Sequence, residues 1–197
     1  MKDCVEVEPS NMFPGFESIL KSRPYWCISR QRVWGVPIPV FYNDDEVIIN
    51  KEIIERLCDL TEKNGNINFW WEMSTEQLLD GINIENKNKL RKGNDILDVW
   101  FDSGMTWKAV IPPDSGNEQV ADLYLEGLDQ FSGWFYSSLL TSIAAQDKAP
   151  YKKIFVHGFA LDPKGKKMSK SLGNVVAPVD IIQGNKKRKI SIYYVHI

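Results

Sequence analysis

Between Lys164 and Lys170, four lysines stand within seven residues, with hydroxyls at Ser169 and Ser171 and glycines at 165 and 173. Ammonium groups this dense, on backbone that glycine leaves free to bend, can close over a polyphosphate and neutralise charge that develops as phosphate is displaced. A solvated basic loop has the same composition, and lysine clusters also mark surfaces that meet nucleic acid. The order Lys167-Met168-Ser169-Lys170-Ser171, followed by Leu172-Gly173-Asn174, is a more specific pattern than the lysines alone.

Other residues could share a site with this loop. Glu126 is a carboxylate at the end of an apolar stretch, suited to hold an ammonium or a ribose hydroxyl. Asp129 and Gln130 follow where a helix should start; a carboxylate there can equally serve the helix dipole. His157 precedes Gly158, where backbone can approach an adenine ring, although His157 also reads as a satisfied core histidine. Trp100 and Trp134 offer large flat apolar surfaces, which suit either a side-chain pocket or plain core packing. Arg30 and Arg32 can supply bidentate donors to phosphate, or bridge a surface loop.

These residues need elements to hold them. Ala121 to Glu126 reads as a strand, and Gly127 opens a helix running to about Ala145, with Phe131, Trp134, Phe135, Leu139 and Ile143 on one face. Ile154 to His157 begins the next strand. Strand, helix and strand in this order make a right-handed parallel unit, with ligands beyond the carboxyl ends of its strands. Glu126 to Gln130, His157 to Phe159 and the lysine loop then meet on one rim. Asp95 to Phe101 reads as a further short buried strand, parallel to the others. Met1 to Lys21 reads as a loop and short helix, and the prolines at 24, 37 and 39 exclude a long helix or central strand from Arg23 to Tyr42. Ile53, Ile54, Leu57 and Leu60 stand at helical spacing, while the asparagine-rich stretch from Ile67 to Gly93 reads as peripheral.

Composition narrows the class. The chain has 197 residues, 43% hydrophobic and 25% charged, with a formal charge of -2. That is ordinary globular composition without a global electrostatic footprint for nucleic acid, so such contacts must be local. Cys4, Cys27 and Cys58 are too far apart for a CxxC pair, and two histidines do not make a histidine metal cluster; no bound metal is expected. No apolar run reaches the length of a membrane span. Met1-Lys2-Asp3-Cys4 opens neither a signal peptide nor an Arg-rich transit sequence.

Four motifs together resemble the class I aminoacyl-tRNA synthetases, and within them the isoleucine-specific branch, over roughly Pro9 to Ile182. They are WCISRQRVWGVPIP (Trp26 to Pro39), DVWFDSG (Asp98 to Gly104), YLEG-x-DQ-x-x-GWF (Tyr124 to Phe135), and HGF with KMSKSLGN (His157 to Asn174). The resemblance implies an α/β fold, the second half of a Rossmann-type nucleotide-binding parallel sheet with a small peripheral insertion. It divides the chain into a return segment from an editing insertion (1–42), a connective insertion (43–94), the Rossmann-type half (95–182) and a divergent tail (183–197).

The implied activity is ATP-dependent formation of isoleucyl-adenylate and transfer of isoleucine to tRNA(Ile), with Mg2+ accompanying ATP. Lys167 and Lys170 are the implied catalytic residues. The implied ATP and adenylate contacts are Glu126, Gly127, Asp129, Gln130, His157, Gly158, Phe159, Met168, Ser169 and Lys170. Trp100 and Trp134 would wall the isoleucine pocket, where one methylene of selectivity is worth only about 1–3 kcal/mol, a figure the isoleucine enzyme itself illustrates. Arg30 and Arg32 would meet the tRNA acceptor end. The spelling Ser137 to Ala145 after GWF is closer to the mitochondrial, bacterial-type branch, which implies the mitochondrial matrix rather than the cytoplasm. Departures are equally specific: no histidine precedes His157, so the family's HIGH motif is not in this chain, and Phe131-Ser132 stands where His-Arg is usual. The expectation is therefore a fragment that needs a complementary half or partner surface, and that is inactive alone.

Overall fold

The computed structural model describes residues 5–111, 119–162, 164–177, 179, 182 and 183. In chain order the elements are β1 (Glu6–Glu8), α1 (Phe13–Ser22), β2 (Ser29–Arg30), β3 (Phe41–Asn43), β4 (Glu46–Ile48), α2 (Lys51–Asn64), α3 (Phe69–Glu72), α4 (Thr75–Leu78), β5 (Arg91–Lys92), β6 (Ile96–Leu97), α5 (Val99–Gly104), α6 (Thr106–Val110), β7 (Ala121–Gly127), α7 (Trp134–Gln146) and β8 (Tyr151–His157). The chain divides into two compact units, one of Met1–Pro24 with Ser103–Ile197 and the other of Tyr25–Asp102. This division falls elsewhere than the 1–42, 43–94 and 95–182 segments read from the sequence. The expected 183–197 tail lies outside the described residues except for Gln183.

In the first unit, β7 and β8 run parallel, with Tyr124 beside Ile154 and Gly127 beside His157. The α7 crossover between them is the strand-helix-strand unit anticipated from the sequence. A third strand, β1, pairs parallel to the other side of β8, giving the order β1-β8-β7. Sequence reading placed Glu6–Glu8 in a loop, because three residues with alternating carboxylates carry too little apolar signal. Register explains the carboxylates: Glu6 lies opposite Lys153 and its Oε1 is 2.6 Å from the Lys153 ammonium.

One face of this sheet is packed. Val7, Tyr124, Ile154 and Val156 meet Phe16 of α1 and Phe135 and Leu139 of α7 in a single cluster with Phe131 and Tyr151. Alternation sends Leu123, Leu125 and Phe155 to the other face, where they are 49%, 55% and 41% exposed. Parallel sheets are ordinarily covered on both faces.

The helix departs from the one-sided stripe expected of it. Ile143 is exposed, while Ser137, Ser138, Thr141 and Ser142 are buried. A 3-10 turn, Leu128–Ser132, precedes α7, so the helical segment is broken at Gly133 rather than continuous from Gly127. The buried hydroxyls allow close approach: Thr141 Oγ1 donates to Gly104 O at 2.7 Å, and the Trp107 indole donates to Thr141 Oγ1 at 3.1 Å. A Cβ on Gly104 would lie 2.9 Å from Ser137 O, a backbone atom that cannot swing aside. Gly104→Ala is accordingly expected to cost about 1–3 kcal/mol through overpacking, read as a lower urea midpoint at unchanged slope.

In the second unit, α2 packs Ile53, Leu57 and Leu60 against Phe41, Phe69, Trp70, Leu78, Leu79 and Leu90. The stretch from Ile67 to Gly93, read as peripheral, thus contributes Phe69, Trp70, Leu78, Leu79 and Leu90 to a core. Its ends are tied by Lys92, whose ammonium donates to Trp70 O at 2.6 Å and Met73 O at 2.7 Å, the carbonyl end of α3. The strand expected at Asp95 to Phe101 is not there. Ile96–Leu97 is a two-residue strand antiparallel to Ser29–Arg30, and the chain then turns helical. The cause is Asp98, which accepts from Trp100 N at 3.1 Å through Oδ1 and from Phe101 N at 2.8 Å through its carbonyl. Short aspartate side chains compete with strand pairing in this way. Among the described residues no helix is long and apolar enough to cross a membrane.

Candidate active site

The carboxyl ends of β7 and β8 gather the largest group of candidate residues. Gly127 and His157 are register partners, so their neighbours Glu126 and Gly158 stand on the same rim. A Cβ at Gly127 would sit 2.8 Å from Asp129 Oδ1 and 3.6 Å from the His157 ring. Glycine is what lets a carboxylate and an imidazole crowd this strand end. Glu126 is exposed, and its Oε2 accepts weakly from Gly127 N at 3.3 Å. Asp129 is also exposed; Gln130 Nε2 donates to its Oδ2 at 3.2 Å. Gln130 turns its other end to the helix, accepting from Trp134 N at 3.0 Å, and so occupies an otherwise orphaned donor of α7. His157 Nδ1 lies 2.8 Å from Gly158 O.

Trp134 is fixed on three sides. Its ring stacks on Tyr124 with centroids 4.0 Å apart and planes 9° apart, and its indole N–H donates to Ser103 O and Thr106 Oγ1, each at 3.0 Å. It remains half-buried, so part of an apolar face is still available. Burial raises the Tyr124 hydroxyl above the usual tyrosine range, against smaller opposing effects of the nearby Thr106 and Ser138 hydroxyls.

The lysine loop returns to this rim. Lys167 places its ammonium 3.5 Å from the centroid of the Phe159 ring, a cation–π contact that ties the loop to the exit of β8. Lys164, Lys166, Lys167 and Lys170 are all exposed, and among the described residues none of the four forms an ion pair. Met168 and Ser169 are half-buried inside the turn. The residue that sequence reading missed is Asp162, buried at the base of the loop. Its carboxylate accepts from Asn174 Nδ2 at 3.0 Å and from the backbone N–H groups of Lys164 and Lys166, each at 2.9 Å. The Asn174 amide first, then these N–H groups and the Lys164 charge, hold its carboxyl below the usual range. Its place just ahead of the lysines, at the foot of a turn, was the available signal.

The remaining candidates belong to the second unit. Arg30 is engaged locally: Nη1 donates to Cys27 O at 2.6 Å and Ser29 O at 2.8 Å, while Nη2 pairs with Asp98. Asp98 also accepts from the Trp26 indole at 3.1 Å. Burial alone would raise the Asp98 carboxyl, but the Trp100 amide, the Trp26 indole, Arg30 and Arg32 together hold it low. Arg32 is exposed, as is the Trp100 ring.

The site defines the class: a parallel α/β sheet of Rossmann type, with a carboxylate-lined rim and a lysine loop beyond the carboxyl ends of its strands. A profile described as tRNA synthetases class I (I, L, M and V) matches residues 2–194, and the chain belongs to that family. It is 50% identical over 179 residues to the isoleucine–tRNA ligase of Prochlorococcus marinus (strain NATL1A), which covers 90% of this chain and 18% of that protein. It is also 50% identical over 189 residues to the mitochondrial isoleucine–tRNA ligase of Macaca fascicularis, covering 92% of this chain and 19% of that one. The chain thus spans less than a fifth of the length of these curated relatives. Among solved structures, it is similar to the agnB2 LeuRS of Agrobacterium radiobacter K84, seen in a ternary complex with tRNA and LeuAMS. The TM-score is 0.56 at 22% identity, covering 81% of this chain and 22% of that one. That likeness is one of fold.

Proposed function

We propose that this chain is the lysine-loop half of the catalytic core of an isoleucine–tRNA ligase, which activates isoleucine with ATP and transfers it to tRNA(Ile). The observation that carries the reading is the convergence of Gly127, Asp129, His157 and the Phe159–Lys167 contact on one strand-end rim, in a chain half-identical to such ligases. In this reading the Glu126, Asp129 and Gln130 oxygens hold the ammonium and ribose hydroxyls of the adenylate. Gly158 and Phe159, beside His157, bring backbone close to adenine.

Met168 and Ser169 shape the turn from which Lys167 and Lys170 reach the phosphates. Ammonium groups suit phosphate oxygens rather than a cation, so Mg2+ arrives bound to the triphosphate as part of the substrate. Trp134, half-buried with part of its ring accessible, walls the isoleucine side chain. Arg32, which is exposed, is the better candidate for the tRNA acceptor end than the internally bonded Arg30.

The exposed Leu123, Leu125 and Phe155 face favours a complementary part of the same protein as the cover of this sheet. The bacterial-type sequence, shared with a mitochondrial relative, favours the mitochondrial matrix as the compartment. Isoleucine-dependent exchange of pyrophosphate into ATP is the test. A protein containing this segment together with its complement should exchange, and the 197-residue chain alone should not. Exchange driven equally by valine or leucine would overturn the isoleucine assignment, and nucleotide or tRNA binding without exchange would make this a non-catalytic module.

A further inference from the structure

Two residues that touch no substrate in the reading above determine where the lysines stand. Asp162 leaves its side chain buried under the loop, and each of its two carboxylate oxygens is occupied. Oδ1 accepts from Lys164 N and Lys166 N, and Oδ2 accepts from Asn174 Nδ2. Asn174 completes the clasp, accepting from Ser169 N at 2.9 Å through Oδ1 and donating from Nδ2 to Lys167 O at 3.2 Å. Backbone bonds reinforce it: Asp162 N donates to Lys166 O at 2.8 Å, and Leu161 and Lys167 bridge as an antiparallel pair.

Apart from the bond between the two side chains, every side-chain hydrogen bond of this pair among the described residues is to loop backbone. The clasp therefore fixes the main chain on both sides of Met168 while leaving the Lys167 and Lys170 ammoniums outside its hydrogen bonds. We propose that Asp162 and Asn174 are positioning residues, a carboxylate–amide clasp that sets the backbone from Lys167 to Ser169 so that Lys167 and Lys170 meet the phosphates together. The proposal rests on the function proposed above for its kinetic consequence, but its structural content does not.

The donor–acceptor pattern makes it testable by exchange of the two groups. D162N turns a donor toward a donor, either at Asn174 or at the backbone N–H groups. N174D brings two carboxylates together. The double variant D162N/N174D restores one complementary bond between the side chains with its direction reversed and keeps the acceptors for Lys164 N, Lys166 N and Ser169 N, while the former bond to Lys167 O becomes a contact between two acceptors.

On the 197-residue chain, trypsin cleavage after Lys164, Lys166, Lys167 and Lys170, timed by mass spectrometry, reports how often the loop opens. Each single variant should speed cleavage there by about tenfold, with cleavage after Lys51 and Lys63 unchanged, and the double variant should recover most of the difference. Unchanged loop cleavage in D162N, acceleration by the same factor at Lys51 and Lys63, or absence of recovery in the double variant would each overturn the clasp. In a complete enzyme carrying the segment, the single variants should lower kcat for adenylate formation with the isoleucine KM unchanged. A rise in isoleucine KM at constant kcat would overturn the positioning role. An enzyme with no isoleucine-dependent exchange in its unaltered form would instead refute the proposed function, with the proteolysis still deciding the clasp.

Discussion

Lys170→Ala is expected to slow isoleucyl-adenylate formation by about 100- to 1,000-fold, the loss typical when one preorganised electrostatic donor of roughly 2.7–4 kcal/mol is removed. The residue is exposed, and among the described residues it is without an ion pair, so its ammonium is not neutralised before substrate arrives. Lys167 differs, since its ammonium already lies against the Phe159 ring and part of its role is to hold the loop. Under the proposed function, further negative charge grows on the leaving phosphates as pyrophosphate departs, so Lys170 would act on the transition state more than on bound isoleucine. The measurement is single-turnover adenylate formation alongside isoleucine affinity, in an enzyme that carries this loop. A variant as fast as its parent would return the lysines to the solvated basic loop that their composition also allows.

Phe135→Ala should remove about 3–5 kcal/mol of stability, the usual cost of emptying a fully buried aromatic site. Phe135 is wholly inaccessible, edge-on to Phe16 at 6.5 Å and to Tyr151 at 6.4 Å between centroids, and 6.2 Å from Phe131. Its carbonyl also accepts the buried Tyr151 hydroxyl at 2.9 Å. The main chain of residue 135 survives the substitution, so that bond can persist and the loss is chiefly one of packing. Since α1, α7 and the sheet all border the cavity, collapse from any one side is limited. Denaturant titration of the chain, followed by tryptophan fluorescence, measures it. A loss under 1 kcal/mol would mean that the cluster around Phe16 repacks freely.

What the sequence disclosed of this fold followed the strength of local patterning. Tyr124 to Glu126 and Ile154 to His157 are apolar runs with a helix between them, and both the parallel pairing and the shared rim followed from that. Glu6–Glu8 escaped because a three-residue edge strand takes its stability from its neighbour, here through Lys153, rather than from its own residues. Asp95 to Phe101 misled because DILDVWF is apolar enough for a strand, while the decisive event is the Asp98 side chain capturing the Trp100 amide. Ser137, Ser138 and Thr141 look like solvent-facing residues in sequence; their burial depends on Gly104 approaching from a distant segment. The shared strand end of Gly127 and His157 was legible for the same reason, since its residues cluster in motifs. Asp162 was lost for the opposite reason, being a single carboxylate whose partners are mostly backbone, which spacing alone does not reveal.

The setting of Trp134 has a consequence for how substrate choice can evolve. One indole stacks on a core tyrosine, donates to the end of α5 and to Thr106, and, under the proposed function, presents its remaining surface to the amino acid. Selectivity and folding therefore draw on the same ring. A smaller side chain at 134 would enlarge the pocket, but it would also remove the indole bonds to Ser103 O and Thr106 Oγ1 and strip Tyr124 of its stacked partner. Drift toward a bulkier substrate is thus penalised before any catalytic benefit can be selected. Permissive changes elsewhere in the Phe16–Phe135–Tyr151 core would have to come first, so pocket specificity here is historically contingent on core stability.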